Sequence, residues 1–356
     1  MFDIIIIGAG PAGTTAARML GEKYKVAILD QRTFKATATQ GKEEKCCGGL
    51  LSLKAQQVLA QMAISIPKSV LVEPQVFTVR AYDLEAKLDQ HYQRAYLNID
   101  RTAFDRYLFE MVPQQVEKIT DCRVVKIEET NQGVIVSYLH NGSLLYITGK
   151  ALLGADGAHS LVRRELYGKE FFQQEYLAIQ EWFEISEKIP YHTSYFSKEV
   201  TDFYGWGIPK GKEFILGVAI PVGRDINACW QSFLEQVEKT GVKLGKRTKR
   251  HGCYLQRPQV WSDIALGKGR IALIGEAAGL ISPSSAEGIS FALRSGRLAA
   301  LGCELSSKDI FAKYRKSCLG LRADIFSKWL KSIPMYTGVF RRAIFKTGVT
   351  AVKIYR

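Results

Sequence analysis

The run Gly8-Ala9-Gly10-Pro11-Ala12-Gly13 spaces three glycines as a pyrophosphate cradle requires. In that spacing Gly8 permits a tight turn, Gly10 lets the backbone approach the phosphates, and Gly13 lets a helix pack closely on a strand. A helix that begins at Pro11 aims its unpaired N–H groups and positive dipole end at the same phosphates. Asp30 offers a carboxylate to both hydroxyls of a ribose. This is dinucleotide-binding chemistry, with a mere tight turn as the plain alternative, and the run by itself does not separate FAD from NAD. A second glycine-rich run, Gly275-Glu276-Ala277-Ala278-Gly279, is followed by Pro283 and by Ala286-Glu287-Gly288-Ile289.

These residues work only if particular elements hold them. Ile4–Ile7 is short, continuous and β-branched, which predicts a buried parallel strand ending at Gly8. Residues 11–20 predict a helix and Val26–Leu29 a second buried strand ending at Asp30, so β-α-β is complete within 30 residues. Ile271–Ile274 predicts another buried strand before the second run, and residues 288–303 an amphipathic helix after it. Asp100 is placed to cap a helix reaching Met111. Alternation at Arg123–Ile127 and Val134–Tyr138 predicts antiparallel strands, and Leu152–Leu153 leads into Gly154-Ala155-Asp156-Gly157. The aromatic-rich stretch 176–254 predicts an antiparallel sheet able to cover a substrate.

With both glycine runs set between strand and helix, the chain resembles the geranylgeranyl reductase family of FAD-dependent oxidoreductases, of the para-hydroxybenzoate-hydroxylase type, and is closest to its CbrA-type members. In that family the second run wraps the ribityl chain and turns a helix N-terminus toward the flavin pyrimidine edge, where the dipole favours negative charge. Glu276 stands where the family usually has Asp, and Ser285-Ala286 where it has Thr-Gly. Lys45-Cys46-Cys47-Gly48-Gly49 is similar to a Lys-Pro-Cys-Gly-Gly segment, with Cys46 in place of Pro. Arg101 with Phe104 and Asp105 matches a helix whose arginine contacts the cofactor. Asp156-Gly157, with Ser160 and Arg163, matches the Asp-Gly motif. Tyr204-Gly205-Trp206-Gly207-Ile208-Pro209 is similar to a substrate-cavity motif, with Ile208 in place of Phe.

The resemblance implies cofactor contacts at Gly8, Gly10, Pro11, Ala12, Gly13, Asp30, Gly48, Arg101, Asp156, Gly157, Gly275, Glu276, Gly288 and Ile289. It implies substrate contacts at Tyr204, Trp206 and Pro209, and Cys47 as the first candidate for a catalytic acid. Plainer readings stand beside these. Cys47 can be a small buried hydrophobe, Asp156 a turn cap, Tyr204 and Trp206 core aromatics, and Arg101 a solvated helix-start cation. The implied reaction is hydride transfer from reduced FAD to a carbon–carbon double bond of a prenyl or lipid-like substrate, with electrons from NAD(P)H or a small redox protein. Its rivals are an FAD-dependent monooxygenase, a flavin halogenase and a non-catalytic, membrane-docking flavoprotein.

The expected architecture is α/β: a glutathione-reductase-type FAD-binding lobe (1–75, 96–165 and 265–305) with an interleaved antiparallel substrate lobe (76–95 and 166–264) and a helical tail (306–356). With 47% hydrophobic and 24% charged residues in 356, the chain can bury a sizeable core. Of the net charge of +14, residues 306–356 carry +10, with twelve Lys and Arg against two Asp. That tail interleaves aromatics and cations, as at Phe326, Lys328, Trp329, Lys331, Phe340, Arg341 and Arg342, which suits an anionic membrane surface. An ordinary solvated basic face is the alternative, and no nucleic-acid-binding motif accompanies the charge. Seven irregularly spaced cysteines predict reduced thiols and no zinc site. No apolar run reaches the length of a membrane span. The expected location is therefore cytoplasmic, with room for peripheral contact at the inner face of the cell membrane.

Overall fold

A continuous apolar run is a stable strand only when both of its faces are covered. Ile4, Ile5 and Ile6 meet that condition with no exposed surface. The computed structural model describes residues 1–35, 43–168 and 175–354. The chain begins β1 (Phe2–Ile7), α1 (Pro11–Leu20) and β2 (Val26–Leu29), then β3 (Leu50–Leu51), α2 (Leu53–Gln61), β4 (Val76–Asp83), β5 (Leu88–Asn98) and α3 (Arg101–Glu110). Next come β6 (Glu117–Ile119), β7 (Cys122–Thr130), β8 (Gly133–His140), β9 (Ser143–Gly154) and α4 (Leu161–Tyr167). A run of longer strands follows, β10 (Glu175–Glu184), β11 (His192–Phe196), β12 (Gly205–Lys210) and β13 (Glu213–Pro221), then α5 (Ile226–Glu238) and β14 (Arg247–Gln256). The chain ends with β15 (Gly267–Lys268), β16 (Ile271–Leu273), α6 (Ile289–Leu301), α7 (Ala312–Ser317), α8 (Leu319–Tyr336) and α9 (Gly338–Thr347).

The first sheet runs β15-β16-β9-β1-β2-β6, and its β16, β9, β1, β2 and β6 are parallel. Strand β9 serves two layers. Its second half pairs with β1, while its first half pairs antiparallel with β8 and so carries the β7–β8 hairpin. Helices α1 and α6 lie against each other so closely that a methyl group on Gly296 would stand 2.4 Å from the Ala12 carbonyl oxygen. Pro11 opens α1 at the one place where a missing N–H costs nothing. Asp100 caps α3 by accepting the Ala103 N–H at 2.8 Å, as its position predicts.

The second sheet runs β14-β10-β13-β12-β11-β4-β5-β3. It is antiparallel as expected except at β4 and β11, which pair in parallel with Ala81 opposite Ser194. Strands β4 and β5 come from an earlier stretch of chain than β10–β14, so the chain's crossing between the sheets sets their direction. Helix α5 covers one face of the sheet, with Trp230 and Phe233 buried against Phe214 and Tyr195. The expected α/β architecture with a second sheet and a helical tail is therefore present. The tail spans both sheets. Tyr314 donates to the Leu273 carbonyl at 2.7 Å, and Arg341 at the far end forms a buried ion pair with Asp83 at 2.8 Å.

Candidate functional site

Strands β1, β9 and β16 end level with one another, since Ile7 and Leu273 both pair with Gly154. The loops carrying Gly8, Asp156 and Gly275 therefore emerge side by side at the carboxyl edge of the parallel sheet, where such folds bind ligands. Gly8 has φ +100°, and a methyl group there would lie 2.3 Å from the Ala155 carbonyl oxygen. On Gly13 a methyl group would lie 1.8 Å from the Gly8 carbonyl oxygen. Gly10 and Gly157 are different, because neither would meet any protein atom within 4 Å. Two glycines are thus required by packing, and two leave backbone open where a ligand can approach. Ala12 and Pro11 are buried in the first turn of α1, whose N-cap Gly10 supplies no side-chain acceptor.

Two half-buried carboxylates frame this edge. Asp156 Oδ2 accepts the N–H groups of Leu161 and Val162 at 2.7 and 3.3 Å, holding the start of α4. Asp156 Oδ1 and Glu276 Oε1 have no hydrogen-bond partner among the described residues. Burial pushes both carboxyls up. Arg163 ties the two loops together, donating to the carbonyls of Ala277 and Asp263. Gly275 donates its N–H to Ser295 Oγ at 2.9 Å. Gly288 caps α6, and Glu287 secures that turn through the N–H and hydroxyl of Ser290, both at 2.7 Å. The Ile289 side chain faces the core beside Leu293 and Phe104, which leaves only its backbone for a ligand.

Asp30 has its carboxylate engaged already. It accepts the Ala9 N–H at 2.6 Å and is held by Arg32 through Nε at 3.1 Å. Arg32 continues to Asp105 at 2.8 Å, and Arg101 reaches the same carboxylate at 2.9 Å. Burial opposes ionisation of Asp105, yet Arg101 and Arg32 together hold its carboxyl below the usual range. Arg101 is therefore neither a solvated helix-start cation nor free to swing. Besides Asp105, its guanidinium contacts the Cys47 thiol.

Cys47 lies at the seam between the sheets. Its Sγ accepts the Gly49 N–H at 3.5 Å, and its carbonyl accepts Nε2 of Gln180 at 3.5 Å. Gln180 Oε1 in turn accepts the Trp206 indole N–H at 3.0 Å, so Trp206 is fixed one side chain away from Cys47. The adjoining Lys210 donates to the carbonyls of Ile99 and Gly49 at 2.7 and 3.2 Å and to Asn98 Oδ1 at 2.5 Å. Burial brings the Lys210 ammonium down to about 8. Tyr204 donates to the Ser285 carbonyl at 2.7 Å, joining the second sheet to the turn before α6. Gly48 packs on Ile208, whose Cδ1 would stand 2.3 Å from a methyl group there. Pro209 is tolerated inside the sheet because β11 pairs with β12 only at residues 205–207, leaving its missing N–H unneeded.

Sequence reasoning passed over Arg32, Gln180 and Lys210. A polar Gln180 in the apolar strand run Leu177-Ala178-Ile179 was the readable signal, since it has no exposed surface. Cys46 is not a mere stand-in for Pro, because its thiol donates to the Ala178 carbonyl at 3.9 Å and its own carbonyl accepts from the Cys253 thiol at 3.5 Å. All seven thiols are free, and among the described residues no cluster of His, Cys, Asp and Glu could hold a metal. The open backbone at Gly10 and Gly157 and the orphaned carboxylate oxygens of Asp156 and Glu276 fit a phosphate- and hydroxyl-rich dinucleotide.

Comparison with known proteins agrees. The FAD binding domain family matches residues 1–241. Protein CbrA of Escherichia coli O6:H1 is 36% identical over 353 residues, covering 99% of this chain and 94% of that protein. CbrA of Shigella dysenteriae serotype 1 is 36% identical over 99% of this chain and 98% of its own. Among solved structures, a geranylgeranyl bacteriochlorophyll reductase-like protein from Thermoplasma acidophilum superposes with a TM-score of 0.79 at 19% identity, covering 94% of this chain and 88% of that one. Klebsiella pneumoniae HpxO with FAD and uric acid gives 0.66 at 18% identity, covering 97% and 92%. A flavin-dependent brominase gives 0.67 at 18% identity, covering 98% of each chain. The chain is thus an FAD-binding flavoprotein of the FAD binding domain family, related along almost its whole length to the CbrA proteins.

Proposed function

We propose that the protein reduces a carbon–carbon double bond in a prenyl or other lipid-like substrate. The observation that carries this reading is the placing of the Cys47 thiol at the seam of the two sheets, against the Arg101 guanidinium and one side chain away from Trp206 through Gln180. Bound FAD, reduced by NAD(P)H or a small redox protein, supplies the hydride. Cys47 supplies the proton, so one hydrogen is added to each alkene carbon. The thiolate left behind regains its proton from solvent. Arg101 and the Gln180–Trp206 pair hold the Cys47 loop in place. Tyr204, Trp206 and Pro209 supply the apolar wall for the substrate chain. The description of the Thermoplasma acidophilum neighbour as geranylgeranyl bacteriochlorophyll reductase-like supports the same reading.

A second reading, an oxygen-using flavoenzyme, is favoured by the likeness of fold to the brominase and to HpxO. One experiment separates them. Protein reduced without oxygen is offered a geranylgeranyl-chain lipid, and the flavin spectrum and product mass are followed. Flavin reoxidation with a product richer by two hydrogens is the expected result, and Cys47→Ala should keep FAD but lose the product. Flavin that stays reduced until air enters, with oxygen then found in the product, overturns the reductase reading.

A further inference from the structure

Helices α8 and α9 are apolar on more faces than the fold uses. On α8, Leu321 and Ile325 are buried in the core of the first sheet. A separate stripe, Phe326, Leu330 and Ile333, falls at i, i+4 and i+7 and so shares one face. These side chains are 50%, 49% and 45% exposed. On α9 the buried side holds Arg341 and Phe345. Opposite it Val339, Phe340 and Ile344 are exposed, Val339 by 75%. Isolated exposed apolar residues are ordinary, but an exposed apolar stripe on each of two consecutive helices is a feature of the kind that marks an interaction surface.

The charge around the stripes is one-sided. The only acids in residues 306–356 are Asp309, paired with Arg315, and Asp324, paired with Lys54 and Arg294. Arg94 and Lys328 stand close enough to Lys331 that they add to burial in lowering its ammonium. Lys346 lies exposed in the last turn of α9. A second copy of this chain would bring like charge against like, with no unpaired acid in the tail to meet it. Apolar stripes rimmed by uncompensated cations match a surface that is both oily and anionic. No helix among the described residues is long and apolar enough to cross a membrane, so such contact is made in the interface plane.

The geometry points to α8 and α9 as a docking surface for an anionic phospholipid bilayer. Its place in the fold gives it a use. Tyr336, the last residue of α8, donates to the Ser284 carbonyl at 2.8 Å and packs against Phe203 with ring centres 5.2 Å apart. Phe203 adjoins Tyr204, so the stripe on α8 ends beside the wall assigned to the substrate. A lipid drawn from the bilayer then has a short path to the seam. That use rests on the proposed reaction, whereas the docking itself does not.

The test is flotation of the full-length, FAD-loaded protein with two vesicle types, one of phosphatidylcholine alone and one with a quarter phosphatidylglycerol. Binding to the anionic vesicles is expected, weakened at least ~10-fold without the anionic lipid and again at 0.5 M salt, where the screening length is only a few Å. Leu330→Glu with Phe340→Glu should abolish it while FAD content and thermal midpoint stay unchanged, because both side chains are exposed. Wild-type protein that stays with the soluble fraction, or a variant that floats equally well, overturns the inference. So does a dimer in light scattering that the same variant dissolves, which assigns the stripes to a second copy. Vesicle binding without double-bond reduction would instead sink the proposed reaction and leave the docking standing.

Discussion

Gly10 and Gly13 belong to one motif, yet the structure gives them opposite behaviour on replacement by alanine. At Gly10 the backbone is extended, with φ −73° and ψ −176°, which any residue adopts. Its added methyl group would meet no protein atom within 4 Å. Gly10→Ala should therefore leave the cofactor-free protein as stable as before, or better by ~0.4–1 kcal/mol through a stiffer unfolded chain. At Gly13 the methyl group would stand 1.8 Å from the Gly8 carbonyl oxygen, well inside contact distance. Helix α1 must lift from β1 by more than an ångström, at about 1–3 kcal/mol or above. Thermal melting of the cofactor-free variants reads this directly: no drop for Gly10→Ala, and a drop of at least ~2–4 °C for Gly13→Ala. FAD titration then reverses the order of interest. If the pyrophosphate comes up to the backbone through the open space at Gly10, as proposed, filling that space should weaken FAD binding by ~10- to 100-fold, about 1.4–2.8 kcal/mol. A Gly10→Ala protein with wild-type FAD affinity would refute the placing of the cofactor, whatever Gly13→Ala does.

The remaining predictions concern the charges and aromatics at the seam. Asp105→Asn removes the counter-charge of Arg32 and Arg101, so urea unfolding near neutral pH should show a loss of ~3–5 kcal/mol. Because the Asp105 carboxyl is lowered in the folded protein, its contribution is present above the unfolded value near 3.9 and lost as pH falls through the folded one. The wild-type advantage over Asp105→Asn should accordingly shrink only below about pH 4. Lys210 acts in the opposite direction. With its folded value at about 8 against 10.5 unfolded, the unfolded chain holds more protons between those limits, and stability rises with pH there. Urea melts across this window should show wild type gaining about 3 kcal/mol on Lys210→Met. Trp206→Phe keeps an aromatic wall but loses the bond to Gln180. We expect a stability cost of ~1 kcal/mol, unchanged FAD affinity and slower reduction of the lipid-like substrate.

Local signals were legible wherever the chemistry is local. The β-α-β unit followed from an unbroken β-branched run, a proline at the helix start and a second apolar strand, all within 30 residues, and each element stands where that pattern predicts. Asp100 was readable as a cap because capping is a contact between near neighbours. Asp30 was legible as a strand-end carboxylate, but its engagement by Arg32 was not read. Sequence spacing shows that an acid is available to a ribose and says nothing of a cation that folds back on it from two residues away. The parallel pairing of β4 with β11 was equally invisible, since strand alternation is the same in either direction.

The seam resisted reading for a deeper reason. Cys47, Arg101 and Gln180, and Trp206 with Lys210 on β12, come from four separate stretches of the chain, and the Gln180–Cys47 contact joins residues 133 positions apart. No periodicity within one element encodes such a meeting. What the sequence did carry was each partner's local anomaly: a glutamine inside an apolar strand, a lysine directly after a Trp-x-x-Pro strand, an arginine at a helix N-terminus where the dipole disfavours it. A polar or charged group placed against its local preference must be satisfied from elsewhere in the fold. In this chain Gln180 and Lys210 are satisfied at the seam, by the backbone of Cys47 and of the residues near it, and Arg101 by Asp105. Residues that contradict their own element thus add Gln180 and Lys210 to a candidate centre whose Cys47, Arg101 and Trp206 the motifs already name. The same logic reaches the tail, where apolar side chains turned to solvent on α8 and α9 are a local contradiction left unresolved among the described residues.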